Sequence, residues 1–214
     1  MADYSNIEDI DPITPQPEIV DKAVEIIKND GVIVFPTWCF YGIGCSAFNE
    51  KAIAKVFDIK RRPSNKPLLV LVSDSFDLKD IVTEVPDSAK KIMDKFWPGR
   101  ITIVFKAKKN IPEALTSGTG KIGVRVPENK VAKAIVDKLQ IPVTGTSANI
   151  SDEPGCFDIN DMAQSIIYES DLVLDSGPLK GGKGSTIIDV TTKPPEIIRE
   201  GEISSKVIFE SISK

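Results

Sequence analysis

The chain has 214 residues and not one histidine. That absence excludes the serine–histidine–aspartate triad, the imidazole general base and every histidine-ligated metal site. Cysteine is scarce: Cys39, Cys45 and Cys156 are the three present, and no two form a Cys-x-x-Cys pair. With no activating base evident beside any of them, they read as structural thiols, and their odd number fits a reducing, cytoplasmic setting. Long apolar runs are missing too. None approaches the ~18 residues of a membrane span, so no membrane contact is expected. Residues 1–17 are acidic and proline-containing, with no basic start and no apolar stretch, unlike a signal peptide.

What is present is an ordinary globular composition, 41% hydrophobic and 27% charged, at a length that suggests one domain. Its charge is unevenly spread. Residues 1–50 carry 2 basic and 9 acidic side chains, residues 51–140 carry 19 and 10, and residues 141–214 carry 6 and 12. A basic middle in an acidic chain fits a site for an anion better than a surface for sliding on DNA. Lysines coating exposed helix faces account for part of it.

Residues 1–16 read as an acidic arm and 17–214 as the folded domain. Apolar spacing predicts a helix that starts at Pro17 and stops at Gly31. It predicts others from Asn49, as cap, to Ile59, and over 86–97, 131–139, 159–168 and 203–212. Strands are predicted at 32–35, 68–72, 101–105, 121–126, 142–146, 172–174, 186–190 and 196–199. Several connections are too short for a parallel crossover, which argues for an α/β fold with a twisted, mixed sheet and flanking helices.

Three glycine-rich matches need weighing. Gly118 to Gly123 has the spacing of a dinucleotide fingerprint but leads into a strand instead of a helix. Gly42 to Ala47 lies between a strand and a helix, yet the bulky stretch Pro36 to Tyr41 replaces the tight turn that motif needs. Gly177 to Gly184 misses the P-loop pattern. It is either a loop whose N–H groups approach a phosphate or a flexible turn.

Five polar turns fall at strand ends. They are Lys60 to Pro67, with four cations and two stiffening prolines, and Thr144 to Ser151, rich in hydroxyls. The others are Arg125 among valines, Ser185-Thr186 with Arg199, and Pro36 to Gly42. Each alone reads as an ordinary turn or cap. Together they point to an anionic small molecule.

Taken in order, these segments resemble the YrdC-type threonylcarbamoyl-AMP synthase family. The specific part is Lys60-Arg61-Arg62 with Ser147-Ala148-Asn149. Around it stand Pro36-Thr37, Tyr41-Gly42, Lys66-Pro67-Leu68, Trp97-Pro98-Gly99, Gly123 to Pro127, Asp189 and Ile198 to Gly201. The resemblance implies a YrdC-like catalytic domain with a basic concave cleft. It implies synthesis of threonylcarbamoyl-AMP and pyrophosphate from L-threonine, bicarbonate and ATP, with Mg²⁺ carried on the ATP. Downstream proteins would then transfer the threonylcarbamoyl group to a tRNA adenosine.

By the same resemblance, Lys60, Arg62 and Ser64 should hold phosphates, with Lys60 and Arg62 as the catalytic pair. Lys121, Ser147, Asn149, Gly155 and Arg199 should complete the nucleotide site, and Thr37, Arg125 and Ser185 the threonine pocket. No protein metal site is implied. The chain departs from the usual pattern at Trp38-Cys39, where the family reads Asp/Glu-Thr, at Glu128-Asn129-Lys130 for x-His-Pro, and at Asp152 for Gly. The resemblance implies a single-domain member, without the extra C-terminal domain of longer ones. The alternatives are a paralogous ATP-binding enzyme with another acceptor and a module that contacts tRNA or double-stranded RNA. The acidic overall charge and the want of RNA-binding aromatic motifs weigh against the second.

Overall fold

The computed structural model describes residues 5–74, 76 and 78–212. Its strands are β1 (Ile7–Asp9), β2 (Ile33–Pro36), β3 (Tyr41–Gly44), β4 (Leu69–Leu71), β5 (Ile101–Lys106), β6 (Lys121–Arg125), β7 (Val143–Ser147), β8 (Leu172–Asp175), β9 (Thr186–Asp189) and β10 (Glu196–Arg199). Its helices are α1 (Pro17–Lys28), α2 (Glu50–Ile59), α3 (Asp87–Phe96), α4 (Glu113–Thr116), α5 (Lys130–Leu139), α6 (Gln164–Glu169) and α7 (Ser205–Ile212).

The strands form one mixed sheet in the order β1-β8-β2-β3-β7-β4-β6-β5-β9-β10. The short link between β9 and β10 makes them antiparallel, as its length requires. Alternate residues of each strand face opposite sides. Val34, Ile43, Val70, Ile103, Val124 and Ile188 point to one side and pack beneath α2, α3, α4, α6 and α7. Ile33, Phe35, Leu71, Val143 and Leu172 point to the other, where α1 and α5 cover only the β8–β2–β7 end. The uncovered remainder of that second face is where a ligand can lie.

Helix starts follow local chemistry. The Asn49 side chain accepts from Ala52 N (2.8 Å) at the head of α2. Asn129 does the same for Val131 N and Ala132 N at the head of α5.

Four features differ from the sequence expectation. Residues 7–9 of the acidic arm pair in parallel with β8 as an edge strand. Tyr41 to Gly44, read as part of a turn and a glycine motif, is β3 and pairs with β2 and β7. Its glycine is a packing requirement, since a Cβ on Gly44 would lie 1.9 Å from Thr144 O. The single helix expected over 159–168 is a 3-10 turn, Ile159–Asp161, capped by Asp158, followed by α6 after an extended Met162 (ψ 138°). The short helix α4, between β5 and β6, was not anticipated.

Candidate active site

The uncovered face holds a cleft of about 590 Å³. Its floor follows from strand periodicity. Leu69 and Leu71 of β4, Thr102 and Val104 of β5, Lys121, Gly123 and Arg125 of β6, and Ile187 and Asp189 of β9 all line it. Residues two apart on one strand share a face, so Lys121 and Arg125 reach the same cavity. Gly123 and Gly145, on strands flanking β4, keep the floor low. A Cβ on either would press on Leu69 at 3.1–3.2 Å.

One end of the cleft is built by the Lys60–Pro67 loop and the turn after β7. Lys60 is 1% exposed and does not line the cleft; its Nζ donates to Ser147 O (2.5 Å) and Asn149 O (2.7 Å). It braces the turn from beneath. Burial, then the neighbouring Arg62, pulls its ammonium down to about 7. Arg62 does line the cleft, held by donation from Nε to Lys66 O (3.0 Å) and from Nη2 to Pro67 O (2.7 Å). Ser147 and Asn149 line it as well and are bonded to each other through Oγ and Oδ1. The Asn149 amide nitrogen donates to Ile150 O (2.8 Å) and Glu153 O (2.7 Å). Gly155 lies against the Phe40 ring, which a Cβ would meet at 2.9 Å. Ser64 is exposed on the loop and is not among the lining residues.

The other end gathers Thr37, Arg125, Ser185 and Arg199. Arg125 Nε donates to Gly99 O (2.6 Å), and burial lowers its guanidinium to about 10, with Glu128 opposing the shift. Arg199 Nη2 donates to Ser185 O (2.8 Å), and burial lowers it too. The Ser185 hydroxyl meets Thr102 Oγ1 at 3.0 Å. Thr37 Oγ1 donates to Phe40 O (2.6 Å), while Asn129 Nδ2 donates to Thr37 O (3.1 Å), so the cap of α5 also fixes this turn.

Lys60, Arg62, Arg125 and Arg199 therefore share one property. Each is anchored by backbone carbonyl oxygens and, among the described residues, none has a carboxylate within salt-bridge distance. Arg62, Arg125 and Arg199 line the cleft, so their positive charge is fixed in place and left available to it, while Lys60 lies beneath. Lys121 differs, being paired with Asp189 at 2.7 Å. Among the described residues, no group of three or more His, Cys, Asp or Glu is placed to hold a metal.

Cys39 and Phe40, within the singled-out Pro36–Gly42 turn, and Lys183 also line the cleft, though none was named individually as a site residue. Cys39 alternates with Trp38, which is absent from the lining, and burial raises its thiol pKa. Lys183 sits in the glycine run already singled out, and its neighbours were the available clue.

Such a mixed-sheet α/β domain, with un-neutralised cations around a nucleotide-sized cleft, is built to bind a polyanionic small molecule. The family model Sua5/YciO/YrdC, described as telomere recombination, matches residues 25–201, and the chain belongs to that family. A putative threonylcarbamoyl-AMP synthase of Methanocaldococcus jannaschii is 37% identical over 85% of this chain and 87% of its own. The threonylcarbamoyl-AMP synthase of Pyrococcus abyssi is 29% identical over 90% of this chain, which spans 56% of that relative's length. Among solved structures, P. abyssi Sua5 complexed with L-threonine superposes with a TM-score of 0.91 at 28% identity, covering 96% of this chain and 60% of that one. Escherichia coli YciO superposes at 0.85 and 29% identity, covering 96% and 98%.

Proposed function

We propose that this chain is a threonylcarbamoyl-AMP synthase, joining L-threonine, bicarbonate and ATP with release of pyrophosphate. The observation that carries the reading is the set of three guanidinium groups, Arg62, Arg125 and Arg199, held by carbonyls and left without paired carboxylates around one cleft. The names of the relatives, and the L-threonine complex of P. abyssi Sua5, support it.

The chemistry asks for what this cleft holds. The threonine amine and bicarbonate form a carbamate with loss of water. A carbamate oxygen then attacks the α-phosphorus of ATP, and the bond from that phosphorus to the bridging oxygen of the leaving pyrophosphate breaks. Negative charge grows on the leaving group. Preplaced guanidinium groups and N–H donors stabilise it with no proton-transferring histidine. In this reading Arg62 and Arg199 face the phosphates. Ser147, Asn149, Lys121 and Gly155 surround the nucleotide, while Lys60 holds the Ser147–Asn149 turn in register. Arg125 pairs the threonine carboxylate, beside the hydroxyls of Thr37 and Ser185. Mg²⁺ enters on the ATP phosphates and water, which satisfy its coordination without a protein cage. The product passes to downstream proteins that place the group on a tRNA adenosine, in the cytoplasm.

The test is incubation with ATP, L-threonine and labelled bicarbonate, following pyrophosphate. Release dependent on threonine is expected. Release no greater than in an Arg62→Ala control would remove the reading.

A further inference from the structure

The glycine-rich segment 177–184 takes no part in the reaction as described. It lies outside the helices and strands, between β8 and β9, yet it is tied at several points. Tyr41 Oη donates to Gly177 O (2.7 Å), Leu179 N to Phe157 O (2.7 Å) and Gly181 N to Cys39 O (3.0 Å). At its far end Glu202 N donates to Gly184 O (3.0 Å). Lys180 Nζ lies 4.4 Å from the Trp38 ring centroid, and the Arg100 guanidinium lies 3.2 Å from the same ring. Arg100 is itself paired with Glu128 at 2.6 Å. Trp38 thus joins the turn after β2 to the segment.

This anchored path delivers one residue to the cleft. Lys183 lines it, is exposed, and among the described residues has no carboxylate within salt-bridge distance. The neighbouring residue, Gly184, is next to Arg199: a Cβ there would lie 3.5 Å from Nη2. Gly181, Gly182 and Gly184 have φ of 66°, 129° and 73°, a route that side-chain-bearing residues follow only under strain. The backbone therefore brings Lys183 to the cleft beside Gly184, which adjoins Arg199. A compact, flexible ammonium there can follow phosphate oxygens that the carbonyl-locked guanidinium groups cannot pursue.

We infer that Lys183 is a further contact to the triphosphate, and that Trp38 is the positioning residue for the segment that carries it. The inference rests on the ATP reading above. Calorimetric titration of the full chain with Mg²⁺-ATP, inorganic triphosphate and L-threonine tests it. Lys183→Gln should weaken ATP and inorganic triphosphate about five- to tenfold and leave threonine unchanged. Trp38→Ala should weaken the same two ligands about threefold, and Trp38→Phe, which keeps an aromatic face, should recover the loss. Unchanged triphosphate affinity in Lys183→Gln overturns the contact, and so does an equal loss for threonine. Wild-type-like binding by Trp38→Ala overturns the positioning role. A wild-type chain that binds no ATP overturns the underlying reading, whereas normal wild-type binding with an indifferent Lys183→Gln overturns this inference alone.

Discussion

Arg62, Arg125 and Arg199 around the cleft and the cations outside its lining are anchored by different partners. Arg62, Arg125 and Arg199 donate to carbonyl oxygens, which fix geometry and leave the charge intact. Lys66, Lys133 and Arg100 meet carboxylates at 2.5, 2.7 and 2.6 Å, which cancel it. The contrast is sharpest within one loop. Arg62 and Lys66 lie four residues apart and are both partly exposed, the first held by backbone oxygens and the second by Asp152. A carbonyl-held cation carries a desolvation cost that Asp152 near Arg62 and Glu128 near Arg125 offset only in part, so burial lowers the pKa of all three arginines. A bound anion would offset it. The pairing pattern thus separates these three guanidinium groups from neutralised cations, where net charge alone does not.

The largest effects should come from the un-neutralised set. Arg62→Ala should lower kcat/KM for pyrophosphate release about 100-fold, the scale of losing one fixed charge at a developing anion. Arg125→Met should act at the other end, raising the KM for threonine about 10- to 100-fold, as for one lost charge-assisted hydrogen bond, with ATP affinity nearly kept. Steady-state kinetics with each substrate varied would separate them. If both variants damaged both substrates equally, the division of the cleft into two ends would be wrong.

Much of this architecture was legible in the residues. The helices capped by Asn49 and Asn129 carry their start signals locally, and most strands were marked by β-branched runs. What failed was set by distant partners. Tyr41 to Gly44 reads as a turn because of its glycines, which are explained only by packing: the carbonyl of Thr144 presses on Gly44, and Thr37 and Phe35 lie against Gly42. Ile7 to Asp9 is short, acidic and paired along one side only, so nothing in its own pattern announces a strand. In the site, the family resemblance named Lys60 and Lys121 alike. That Lys60 lies beneath the cleft, and that Lys121 is matched by Asp189 68 positions later, are tertiary facts.

Lys60 gives an intermediate and pH-dependent effect. Its folded pKa of about 7 lies below the usual 10.5, so between those values the unfolded chain holds a proton that the folded one lacks. Stability from this residue should therefore rise with pH across about 7 to 10.5, and its penalty should be complete below about 7. Lys60→Met should flatten that dependence in denaturant titrations at pH 7 and 9. A triphosphate bound nearby pulls the ammonium back toward its usual range, so ATP binding at pH 8 should take up protons. Calorimetry in buffers of different ionisation heat would reveal the uptake, and its persistence in Lys60→Met would assign it elsewhere.

The smallest effect is the most discriminating. Lys66 is a cation in the same loop as Arg62, and a reading based on charge density alone would rank the two together. Its ammonium is exposed and held 2.5 Å from Asp152. Such pairs contribute roughly 0–1 kcal/mol, and removing the lysine leaves the Arg62 contacts to Lys66 O and Pro67 O available, because they use the backbone. Lys66→Ala should thus keep ATP affinity within about threefold of wild type, with the melting temperature little changed. Should it prove as harmful as Arg62→Ala, bulk positive charge would be the binding principle, and the distinction between carbonyl-held and carboxylate-held cations would have no functional meaning.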